Sequence, residues 1–153
     1  MIKVTYKKLD GTSDSAEIPT AWRDLTWAEF AEFNGKQFDN QIERIAYLTK
    51  ISYTTLLNNP MFLQSVIESC SFIYKRSIEE WADYIPEKFQ VDIAAAEWGK
   101  LEISKDAILR SKENQYQAGS KIVKTYLDID IDHLPCTEAI GVVAFFLSKY
   151  QCL

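Results

Sequence analysis

The hydrophobic period of this chain shifts from two residues to helical spacing after its first 18 residues, and that shift constrains the fold more than any single motif. Ile2, Val4 and Tyr6 alternate with Lys3, Thr5 and Lys7, the two-residue period of a strand with one face in the core. Asp10-Gly11 is a turn signal, and Ala16 and Ile18 resume the alternation until Pro19 stops it. Residues 2–18 therefore read as a β-hairpin with a long polar loop, Asp10–Ser15, inside it. From Leu25 onward apolar residues recur mostly at helical spacing. The expected class is α+β, an N-terminal hairpin packed on a bundle of about five helices.

The strongest local signal is Thr26-Trp27-Ala28-Glu29, a capping box in which the Thr26 hydroxyl accepts from the Glu29 amide and Glu29 reaches back to Thr26. Leu25 and Phe30 hold the flanking apolar positions, Phe33 continues the face, and Gly35 suits a helix C-terminus. Trp22 and Trp27 are expected to pin this helix onto the hairpin, the alternative being a ligand-stacking pair. Asp39 or Asn40 can cap a second helix carrying Ile42, Ile45 and Leu48, and Ser52 a short one ended by Asn58-Asn59-Pro60. Met61 to Tyr74 is apolar on more than half its circumference, which predicts a helix central to the core. Ser77-Ile78-Glu79-Glu80 repeats the capping-box spacing before Trp81.

The middle is less regular. Phe89, Val91 and Ile93 alternate, Leu101 and Ile103 follow, and Trp98-Gly99 could turn the chain, so a second small hairpin is one reading of residues 85–103. Ser104 then suits the cap of a helix to about Tyr126, with Gly119 as an interruption, and Thr137 the cap of a last helix, Glu138 to Tyr150. At 153 residues a single domain is the default: hairpin 2–18, helical 27–83, irregular 85–103, helical 104–150.

Charge and cysteines exclude several functions. Seventeen Lys and Arg against 22 Asp and Glu give a net charge of −5, and no basic stretch extends beyond Lys7-Lys8 or Lys75-Arg76, so direct nucleic-acid binding is not expected. Cys70, Cys136 and Cys152 are widely separated and form no C-x-x-C pair; they fit a reducing compartment and no zinc site. The alternating N-terminus is no signal peptide, and the longest apolar run, Ala139 to Leu147, is too short to cross a bilayer, so a soluble protein without membrane contact is expected.

Candidate chemistry is sparse. Asp128, Asp130 and Asp132 open like a calcium loop, but His133 and Ala139 stand where that loop requires Gly and Glu, so no metal is assigned. His133 and Cys136 could form a dyad on paper, yet nothing signals an orienting group or an oxyanion site. Gly35-Lys36 and Gly99-Lys100 lack P-loop spacing, and no G-x-S-x-G, H-E-x-x-H or G-x-G-x-x-G is present. No catalytic residue and no cofactor is expected.

The string Ile18-Pro19-Thr20-Ala21-Trp22-Arg23-Asp24-Leu25-Thr26-Trp27-Ala28-Glu29-Phe30 resembles the opening of small tailed-bacteriophage proteins encoded among virion and tail-assembly genes, particularly in phages of Bacteroides-type hosts, crAss-like ones included. Leu48-Thr49-Lys50-Ile51-Ser52 is similar to their "L-T-x-I-S" turn, and Leu134-Pro135-Cys136-Thr137 to Phe145-Phe146-Leu147 to their "L-P … FFL" finish. The resemblance spans roughly the first 75 residues and the last 20, and its motifs concern packing and capping. It implies a non-enzymatic virion structural protein, made in the host bacterial cytoplasm, whose partners are other phage structural proteins or further copies of itself. The alternative it implies is a tail-assembly chaperone absent from the mature particle.

The terminal helix offers the candidate contact site. Ile140, Val143, Leu147 and Tyr150 define one face, while Val142, Phe145 and Phe146 fall beside or opposite it. One apolar stripe suffices to dock a helix on its own core, so the surplus implies full burial or a contact with another protein. The second reading is favoured, with Val142, Phe145, Phe146 and Tyr150 as the expected partner interface.

Overall fold

The structure is a computed structural model and describes residues 1–90 and 114–151. The chain forms two compact units interleaved in sequence: Met1–Asp24 with Lys36–Ser77, and Leu25–Gly35 with Ile78–Leu153.

The first unit begins with the expected hairpin. β1 (Ile2–Lys7) pairs antiparallel with β2 (Ser13–Ile18), Ile2 opposite Ile18 and Lys7 opposite Ser13. The connection is tighter than the polar sequence suggests. Gly11 N–H donates to Lys8 O and Lys8 N–H to Thr12 O, which leaves a three-residue turn, Leu9–Gly11. Asp10 accepts from the Thr12 amide at 2.9 Å and hydroxyl at 2.6 Å, and Gly11 takes φ +83°, where only glycine is free of steric cost. Val4 and Tyr6 turn inward, and Tyr6 stacks on Phe62 with ring centroids 5.3 Å apart.

Four helices complete this unit: α2 (Gln41–Thr49), α3 (Tyr53–Leu57), α4 (Pro60–Ser69) and α5 (Phe72–Lys75). Asn40 caps α2 by accepting from the Glu43 amide, and Ser52 caps α3 by accepting from the Thr55 amide. Pro60 opens α4 at its first turn, where its missing N–H costs nothing. Ile18, Ile45, Ile51, Leu56, Val66 and Cys70 are buried. Trp22, on a single 3-10 turn (Trp22–Asp24), packs edge-on against Phe72 and donates from Nε1 to Arg76 O at 2.8 Å.

The expected central helix from Met61 to Tyr74 is corrected on two counts. It breaks at Cys70-Ser71 into α4 and α5, and within α4 only Val66 is fully buried while Met61 is 88% exposed. A segment apolar on more than half its circumference can still be half-exposed, and periodicity does not register that difference.

The second unit contains α1 (Trp27–Gly35), a 3-10 turn (Ile78–Trp81), a helical stretch at 87–90, α6 (Gln115–Leu127) and α7 (Cys136–Gln151). The capping box holds: Thr26 N–H donates to Glu29 Oε2 at 3.1 Å and Glu29 N–H to Thr26 Oγ1 at 3.3 Å. The next amides of α1 are satisfied from far along the chain, Trp27 N–H by Leu134 O at 2.8 Å and Ala28 N–H by Asp132 O at 3.1 Å. Trp27 meets Phe30 and Tyr116 within this unit.

Four further expectations are corrected here. Phe89 lies in the helical stretch 87–90 rather than on a strand; the rest of the expected second hairpin, from Val91, falls outside the described residues. Asn114 is extended and forms its own capping box with Gln117, so no single helix runs from Ser104, itself outside the described residues, to Tyr126. Gly119 does not interrupt α6: it is the point at which α6 meets α7, and a Cβ there would lie 2.3 Å from Val143 Cγ1. Finally α7 starts at Cys136, one residue before the expected cap Thr137, because Cys136 N–H donates to Leu25 O at 2.9 Å.

Candidate partner-contact surface

The apolar excess of α7 has a local explanation. Gly141 lies against the backbone at Tyr84, where a Cβ would sit 1.8 Å from Tyr84 O, and Val143 closes on Gly119. The helix also packs on α1 and on the Ile78–Trp81 turn. Enclosed in this way, its described side chains from Ala139 to Val143 are all buried.

Of the four residues expected at a partner interface, Val142 and Phe146 are fully buried. Their surface is consumed by the chain's own core, which corrects their assignment to an exposed contact. Phe146 stacks on Tyr126 of α6, centroids 5.6 Å apart, and meets Phe145 edge-on at 5.5 Å. Phe145 is half-buried. Tyr150 belongs to the α7 backbone, and its side chain falls outside the described residues.

The residues singled out for chemistry are placed apart in character. Asp128 ends α6 in the left-handed region at φ 53°, Asp130 accepts from the Asp132 amide at 3.0 Å, and Asp132 accepts from the Ser120 hydroxyl. Between them Ile131 is fully buried. The three carboxylates thus border a turn anchored by an apolar side chain, and among the described residues no three His, Cys, Asp or Glu converge as a metal site. Cys136 is buried, and burial pushes its thiol up to about 12; the Glu29 charge adds to this, against two backbone hydrogen bonds. His133 is exposed. A nucleophilic cysteine needs a lowered pKa and access to substrate, and Cys136 has neither. Cys70 is likewise buried and pushed up to about 12 by burial.

No family model, no curated protein and no solved structure matches this chain. Among the described residues, no helix is long and apolar enough to cross a membrane.

Among the described residues, exposed apolar side chains instead concentrate in the first unit. Tyr53 and Leu57 lie one turn apart on α3, Leu57 is 50% exposed, and Met61 follows on α4. Asn59, between them, donates from Nδ2 to Thr55 O at 3.2 Å and reaches Lys7 O at 3.5 Å, which brings this corner to the tip of the hairpin. Leu9, at that tip, is 65% exposed. Sequence reasoning missed this surface because Leu56 and Leu57 look alike; Leu56 is fully buried and only the packing distinguishes them.

Proposed function

We propose that this chain is a non-enzymatic bacteriophage virion protein that works by binding other proteins of the particle. The observation that carries the reading is the exposure of Leu57 and Met61 at the junction of α3 and α4, with Leu9 also exposed at the hairpin tip. Apolar side chains grouped at a surface mark contact sites, since water penalises their exposure. The phage-like segments Ile18–Phe30 and Leu48–Ser52 add the context of a virion gene product. Cys136 is buried, and among the described residues the carboxylates at 128–132 form no metal-holding cluster.

Mass spectrometry of purified particles tests the reading. Stoichiometric recovery of the chain supports a structural role. Its absence from particles, with recovery bound to a tail protein in lysed infected cells, would overturn that role in favour of an assembly chaperone. Replacing Leu57 and Met61 by Lys should leave the fold intact and reduce incorporation.

A further inference from the structure

Among the described residues no further strand pairs with either outer edge of the hairpin, and the two edges carry opposite charge. Lys8 and Thr12 bond inward at the turn, and antiparallel pairs alternate between inward-bonded and outward-facing. Tyr6–Asp14, Val4–Ala16 and Ile2–Ile18 are therefore the inward-bonded pairs. The backbone groups of Lys3, Thr5 and Lys7 face outward on one edge, and those of Ser13, Ser15 and Glu17 on the other. All six residues are exposed. Among the described residues only two side chains meet these outward groups: Asn59 Nδ2 reaches Lys7 O at 3.5 Å, and Asp14 Oδ1 accepts from Ser15 N–H at 2.8 Å. The β1 edge carries Lys3 and Lys7 and no acid; on β2, Asp14 pairs with Lys8 of its own hairpin at 2.7 Å, which leaves Glu17 as the acid of that edge, with no base.

We infer that a second copy of this chain docks by adding its β2 to the open β1 edge. Pairing two β1 edges antiparallel about Thr5 would set Lys3 against Lys7 and repel. Pairing β1 with a neighbour's β2 in the hairpin's own register sets Lys3 against Glu17, Thr5 against Ser15 and Lys7 against Ser13. Each of those residues faces outward on its own strand, so the intermolecular ladder forms without disturbing the one inside the hairpin. Joining unlike edges is a heterologous contact, and each copy retains one edge for the next, the geometry of rings and filaments. Six-residue strands bury far less than the roughly 1,200 Å² of a stable interface, so pairs form weakly in solution and accumulate where copies are crowded. The inference rests on the virion reading only for that crowding; it is tested on the purified chain and the virion reading on particles, so either can fail alone.

Sedimentation of the full chain up to about 1 mM, the range a small interface calls for, is the test. The average mass of the wild type should rise with concentration. Thr5→Pro removes an outward N–H and leaves the inner ladder intact, so this variant should fold, by circular dichroism, and remain monomeric. Lys3→Glu and Glu17→Lys should each reduce association several-fold, and an equimolar mixture should restore it, because each supplies the charge the other lacks. The mixture decides the matter even where Thr5→Pro fails to fold, since it leaves the altered pair inside each hairpin unchanged. A wild type monomeric throughout, a folded Thr5→Pro that associates as the wild type does, or a mixture without recovery would overturn the inference.

Discussion

Gly119 of α6 and Val143 of α7 meet so closely that a Cβ on Gly119 would lie 2.3 Å from Val143 Cγ1. Val143 is fully buried, and a β-branched side chain on a helix has little rotamer freedom with which to withdraw. Gly119→Ala should therefore destabilise by about 1–2 kcal/mol, overpacking outweighing the gain of about 1 kcal/mol in helix propensity. In a Val143→Ala background the same change should become neutral or stabilising. A urea double-mutant cycle reads the coupling, and additive effects would show that the contact is relieved by other means.

Thr26→Ala removes the acceptor of the Glu29 amide and should cost about 1 kcal/mol, while Thr26→Ser should retain most of the stability. The Leu134 and Asp132 carbonyls still hold the Trp27 and Ala28 amides, so α1 should persist in the variant. Loss of its amide protection in hydrogen exchange would show that the cap, and not these distant carbonyls, keeps the helix formed.

Asp24 gathers donors from the N-terminal ammonium at 2.7 Å, Thr20 N–H at 2.8 Å, the Thr20 hydroxyl at 2.9 Å and Ala21 N–H at 3.2 Å. Burial pushes its carboxyl up, but the ammonium and the Thr20 hydrogen bonds outweigh burial and hold it at about 2, below its ordinary 3.8. A depressed carboxylate contributes stability that is fully present above the unfolded value and is lost as pH falls through about 2. The contribution is on the order of 2 kcal/mol. Asp24→Asn should lower stability at neutral pH and flatten its fall in acid. Parallel acid profiles for wild type and variant would place the acid sensitivity elsewhere.

Cys70 and Cys136 should resist thiol reagents at neutral pH in a Cys152→Ser background and label at once in urea, since both are buried and pushed up to about 12. Labelling of Cys136 in the folded protein faster than the chain opens would revive chemistry shared with His133.

The hairpin, the Thr26–Glu29 capping box and the caps at Asn40 and Ser52 were legible in the sequence because each depends on residues a few positions apart. Strand alternation and side-chain capping are local physics, and local physics is written in order along the chain. What the tertiary structure alone decided is which apolar residues face water. Val142 and Phe146 vanish into the core because α1, α6 and the backbone at Tyr84 pack on α7, whereas Met61, on another largely apolar segment, stands open. Gly119 marks a helix contact and not a break for the same reason: its role is set by Val143, distant in sequence and adjacent only after folding. Hydrophobic burial is non-directional and depends on every neighbour that arrives, so a periodic pattern fixes which face of a helix is apolar but not how many sides of it the fold will cover.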